Sequence, residues 1–160
     1  QPEQDIHTWN AKHVYNDELT RDEAKKRIFA WLYNPVSKDN LSSGVYDRDS
    51  VLKKYWDGEQ VCTFYDRIIP ADKHHALNYI IQSTTSDTFL RRDLAVNKLL
   101  QDKRSKIAFC IHDSLVLDFA DEDRESLLEM IKEFSETDLG VFKVNVHAGK
   151  NFGEMKEMKL

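Results

Sequence analysis

Apolar and polar positions alternate with strand period in two places, "QVCTFY" at 60–65 and "VFKVNVH" at 141–147, and each predicts a strand. Between them, the apolar runs "KIAFCI" at 106–111 and "LVLDF" at 115–119 flank His112-Asp113-Ser114, which predicts two strands joined by a turn. Leu127, Leu128, Ile131 and Phe134 recur at helical spacing behind Asp121, predicting an acidic amphipathic helix. Helix ends mark the other helices. Thr20 stands three residues before Glu23, a capping box, and the helix formers of "RDEAKKRIFAWLY" at 21–33 run until Asn34-Pro35 stops them. Asp5 caps a short helix in "DIHTWNAKHVYN", and "DSVLKKYWDG" at 49–58 reads as a helix ended by Gly58. Asp72 caps a long helix from "KHHALNYIIQ" to "NKLLQDK", whose middle is the small-residue run Ser83-Thr84-Thr85-Ser86. "VSKDNLSSG" at 36–44 reads as loop. Helices, then a hairpin, a helix and a strand predict an α+β domain with an antiparallel sheet.

Composition adds boundaries. The 160 residues suit one domain with a sizeable core, and 41% hydrophobic and 32% charged residues are ordinary for a soluble globular chain. No apolar run approaches the roughly 18 to 20 residues of a membrane span. The opening "QPEQDIHTWN" is polar, unlike a secretory leader, and its lack of an initial Met suggests an excised or processed piece. Cys62 and Cys110 form no CxxC pair, which argues against a disulfide framework or zinc ribbon and fits a reducing, cytoplasmic compartment. A net charge of -5 argues against a basic nucleic-acid coat, though not against an enzyme that concentrates its positive charge. Lys25-Lys26-Arg27, Arg91-Arg92 and Lys103-Arg104 are such clusters, though each taken singly reads more simply as a solvated helix face, and the acidic run at 118–138 reads as one.

Chemistry-bearing residues fall in two places. On the capped helix Arg21, Lys25, Phe29 and Tyr33 stand four apart, so they wind slowly along one stripe. Two cations at a helix N-terminus suit a polyphosphate, and aromatics one and two turns later suit a stacked base or sugar. The plain alternative is an amphipathic helix with Phe29 and Tyr33 in a core. At 112–114 the choice is between a simple turn and a metal-binding carboxylate at a hairpin tip.

Arg-x3-Lys-x3-Phe-x3-Tyr resembles the fingers-helix motif of family A DNA polymerases, the DNA polymerase I family. Other segments are similar to that family in the same order: "DIHT" upstream of the helix, "TFYDRIIP", "NYIIQSTTSD" with Asn78, Gln82 and Asp87, "CIHDS" at the palm hairpin, and "VNVHAGKNFGEM" at the C-terminal strand and tail. The resemblance spans nearly the whole chain and implies fingers helices at 1–70, and at 71–160 part of a palm with a long helix and an antiparallel sheet. It implies that Arg21 and Lys25, assisted by His7, hold the triphosphate of an incoming dNTP. Phe29 would lie against its base and sugar, a Phe there implying discrimination against nucleotides lacking the 3′-hydroxyl. Tyr33 would stand where the templating base enters. Asn78 and Gln82 would contact primer-template DNA, His112 would neighbour the primer terminus, and Asp113 would bind one or both of two Mg²⁺ ions.

Three positions depart from the family pattern. Ser114 replaces a Glu beside the metal Asp, and His74 replaces an Arg four residues before Asn78, weakening a duplex contact or making it pH-dependent. Asn34 replaces a Gly, as a residue tolerant of left-handed geometry could. The family's first catalytic Asp has no counterpart in this sequence, so the expectation is the C-terminal part of a polymerase, inactive alone, that needs the N-terminal part as a separate chain or segment. A split arrangement leans toward a phage enzyme working in the host cytoplasm. Two other readings stand beside it: a catalytically degenerate DNA-binding subunit, and an HD-type metal phosphohydrolase recruiting His74, His75 and His147. The last is disfavoured because such dyads sit on helices and these flanks are β-like.

Overall fold

The computed structural model describes residues 5–158. The fold is α+β and about half helical, with a long helix and small antiparallel ribbons. It divides into two compact units, one ending at Thr85 and the other starting at Ser86, a division that lies inside the long helix.

In the first unit, α1 (Ile6–His13) and α2 (Arg21–Tyr33) form as their caps predict. Asp5 accepts from the Thr8 N–H, and Thr20 and Glu23 close the capping box reciprocally. Ala11, Val14 and Tyr15 pack against Ala24 and Ile28 to make the core between these helices. Asn34 ends α2 with an extended φ of -110°, not the left-handed geometry its substitution for Gly suggested. Arg48 satisfies the frayed end instead: its guanidinium stacks on the buried Trp31 ring and donates to the carbonyls of Trp31, Asn34, Pro35 and Ser37.

The segment expected to be loop contains α3 (Asn40–Val45). Ser42, Ser43 and Gly44 are poor helix formers, so local propensity hides it. Asp39 holds it, accepting from the Leu41 and Ser42 N–H groups, from the Tyr15 hydroxyl and from Arg27 Nε at 2.8 Å. The arginine and these donors keep the nearly buried carboxyl below its ordinary range against its desolvation. Next come α4 (Arg48–Tyr55), β1 (Gln60–Cys62) and β2 (Ile68–Pro70). β1 and β2 pair antiparallel, and β2 lies in a stretch with no predicted strand. Val61, Ala71, Ala76 and Ile80 form a second small core there.

The long helix α5 (Ala76–Leu99) starts behind Asp72, whose carboxylate accepts from the His74 and His75 N–H groups. In the second unit its C-terminal part packs through Val96 and Leu100 with Met130, Ile107, Leu115, Leu117, Phe119 and Phe134. β3 (Lys106–Ile111) and β4 (Ser114–Asp118) make the expected hairpin. The acidic segment opens as a 3-10 turn at Asp121–Ser126 before α6 (Leu127–Ser135). Two expectations there are corrected. Leu128 points to solvent while Met130 fills the core, and Asp123 is buried, accepting from the Ser105 N–H at 2.7 Å. The single strand expected at 141–147 is two, in separate ribbons: β6 (Gly140–Val141) pairs with β5 (Glu136–Thr137), and β7 (Val146–Ala148) pairs with β8 (Lys156–Met158). Among the described residues the strands form four two-stranded ribbons rather than one sheet. No helix among them is long and apolar enough to cross a membrane.

Candidate active site

α2 sorts its residues by face. Ala24, Ile28 and Trp31 are buried, while Arg21, Lys25 and Phe29 are exposed and Tyr33 is half-buried on a stripe that winds away from that buried face. Phe29 is 39% exposed, so the plain alternative that made it a core residue fails for this ring. The four side chains form a continuous stripe. Lys25 Nζ lies 5.8 Å from the Phe29 ring centroid, and the Phe29 and Tyr33 centroids are 5.9 Å apart. His7, in the first turn of α1, meets Phe29 edge-on at 5.5 Å and 87°. Its Nδ1 is buried without a hydrogen-bond partner. Burial holds the imidazole pKa below its ordinary value; the Asp5 charge opposes this, and the Lys25 and Arg21 charges add to it. This face therefore combines two cations, one imidazole and two aromatic rings in mutual contact.

The cation at its head is already engaged. Arg21 donates Nε at 2.9 Å and Nη2 at 3.2 Å to the two Asp5 oxygens, and Nη1 at 3.0 Å to Asp22. Arg21 and the Thr8 N–H pull the Asp5 carboxyl down to a pKa of about 2. The sequence marks Asp5 as a helix cap; the packing of α1 beside α2 gives the same carboxylate a second partner in Arg21.

Also in the first unit, His74 and Gln82 are exposed and Asn78 is half-buried on the first turns of α5. Asn78 and Gln82 stand four residues apart on this helix and so share a face.

His112 and Asp113 lie in the second unit, at the tip of the β3–β4 hairpin, both exposed. His112 has φ 53°, a left-handed conformation that is strained for a non-glycine residue. Ser114 opens β4 opposite Ile111. Because the dyad sits between strands, it departs from the helical setting of HD phosphohydrolases. Among the described residues no three His, Cys, Asp or Glu side chains are grouped to hold a metal ion. One exposed carboxylate is too few donors for Mg²⁺ by itself, so Asp113 fits that ion only as one member of a larger set.

A β-bulge between Ile107 and Phe109 controls the faces of this hairpin. It leaves Ile107 opposite Leu117 on the core side and turns Phe109 and Ile111 outward. It also brings Cys110 round to α5, where Sγ donates to Asp93 Oδ2 at 2.8 Å. That carboxylate, with burial, pushes the thiol pKa up to about 11.

No protein-family model matches the chain, and no curated protein matches it.

Proposed function

We propose that the chain is the fingers and partial palm of a template-directed DNA polymerase of the family A type, extending a primer 3′-hydroxyl with dNTPs. The observation that carries this reading is the solvent-facing stripe of α2. Its cations precede its aromatic rings in the order a triphosphate and its base require, and the rings are held by each other and by His7 rather than sunk in a core.

In this reading Arg21 and Lys25 bind the polyphosphate as charge-assisted donors. His7 assists with one hydrogen bond from its imidazole. Phe29 packs on base and sugar, and Tyr33 bounds the base position. Asn78 and Gln82, on one face of α5, read the primer-template duplex, with His74 beside them and His112 at the primer terminus. Asp113 supplies one carboxylate, and a second comes from another segment or chain. When bound, a pair of Mg²⁺ ions supplies activation of the attacking hydroxyl and charge neutralisation of the leaving pyrophosphate.

The test is a titration of the chain with dTTP and Mg²⁺ followed by backbone amide NMR. Shifts are expected to concentrate at His7, Arg21, Lys25 and Phe29. Arg21→Ala or Lys25→Ala should weaken binding by about 10- to 100-fold, the loss of one desolvated charge-assisted contact. Millimolar nucleotide that leaves α2 unperturbed would overturn the proposal.

A further inference from the structure

The hydrogen-bonding edge of the Arg21 guanidinium is filled by the Asp5 carboxylate in a two-point contact. An anion that binds this edge of Arg21 must displace that carboxylate. We propose that Asp5 is a built-in competitor at this site: it occupies the side-on edge of the Arg21 guanidinium and thereby sets how tightly the α2 stripe holds a polyphosphate. This rests on the reading of α2 as a nucleotide-binding face and adds to it a specificity-determining residue.

Three observations favour a displaceable competitor over a fixed clamp. First, the pair is open to solvent on both sides, with 49% of the Arg21 side chain and 43% of the Asp5 side chain exposed, and such ion pairs are weak and easily exchanged. Second, Asp5 does not become an orphan when it lets go. Its Oδ2 also accepts from the Thr8 N–H at 3.0 Å and the Thr8 hydroxyl at 3.1 Å, so its role as the cap of α1 survives. Third, the charges balance. Asp5 and Asp22 together offset Arg21 and Lys25, so the head of the stripe is close to neutral despite its two cations. Removing one carboxylate makes it net positive. An anion with several charges then gains attraction without having to displace a competitor. A monoanion gains less, so Asp5 biases the face toward ligands charged highly enough to win the exchange.

Asp5→Asn tests this, because Asn retains the cap acceptor and removes only the charge. Asp5→Ser is the second variant, also a good cap, and circular dichroism verifies that both keep their helix content. Binding of inorganic tripolyphosphate, dTTP and orthophosphate is measured by calorimetry at two ionic strengths. Both variants are expected to bind tripolyphosphate and dTTP about three- to tenfold more tightly than the parent, with a steeper salt dependence and a smaller gain for orthophosphate. Asp22→Asn, further exposed and holding one contact, is expected to gain about twofold. Equal or weaker binding by the Asp5 variants, while the parent binds dTTP at α2, would overturn the competitor and leave the nucleotide-binding face standing. Absence of binding by parent and variants alike would overturn both.

Discussion

The α2 stripe and the β3–β4 hairpin tip carry the two halves of the proposed chemistry, and they are built differently. The stripe is local: its residues stand four apart on one helix, and each touches the next or its neighbour on α1. The tip is two exposed residues on a turn, with no grouping of metal-ligating side chains around it among the described residues. A helix thus delivers a ready binding face from its own period, whereas a turn delivers a single side chain whose chemistry depends on what is brought to it. This is why the stripe can be tested for ligand binding in the chain as it stands, and the tip only within a complete primer-extending assembly.

The largest expected effect separates the two. In an assembly that includes the segment supplying the second carboxylate, Asp113→Ala should reduce primer extension by more than about 10³-fold if this carboxylate is a metal ligand as proposed. Binding of dTTP at α2 should stay within about twofold by calorimetry. A parallel loss of nucleotide binding would mean that tip and stripe are not separable. The next effect is on stability. Leu100 is fully buried beneath the hairpin, and Leu100→Ala should cost about 2 to 5 kcal/mol in chemical denaturation while the α2 amides keep their NMR shifts. A third comparison uses the cysteines, one in each unit. Cys110 has its thiol pKa at about 11 beside Asp93, so at pH 8 it should react with a disulfide reagent far more slowly than Cys62. Asp93→Asn should accelerate it by about 10- to 100-fold.

The smallest effect is on acid stability. The Asp5 carboxyl titrates at about 2 in the fold against an ordinary 3.8, so its contribution is present above about pH 4 and lost as pH falls toward 2. Because the pair is exposed, the contribution is well below what the shift would give at face value. Thermal midpoints between pH 5 and 2 should therefore fall slightly less steeply in Asp5→Asn than in the parent.

Elements whose signals are local were legible. The Asp5 and Thr20 caps, the stop at Asn34-Pro35 and the apolar runs around His112-Asp113 each act within a few residues, and each element stands where these place it. α3 was hidden because its stability comes from Asp39 bonding to Tyr15 and Arg27, residues 24 and 12 positions away. The alternation at 141–147 suggested one strand, but a strand exists only where a partner does, and the partners of Val141 and His147, Glu136 and Glu157, lie in different ribbons. For the site, spacing made the stripe visible. It did not say which face of α2 was free, because Phe29 and Tyr33 are as suited to a core as Ile28 and Trp31.

The order and spacing of residues alone determined that two cations and two aromatics share one helical stripe, and that an ionisable pair interrupts two strand-like runs, because both follow from the fixed periods of helix and strand. Only the tertiary structure decided that the stripe faces solvent, that Asp5 already occupies Arg21, and that one bulge turns Phe109 and Ile111 outward and Cys110 toward Asp93. Those outcomes depend on which surfaces meet across the chain, and no local period encodes that.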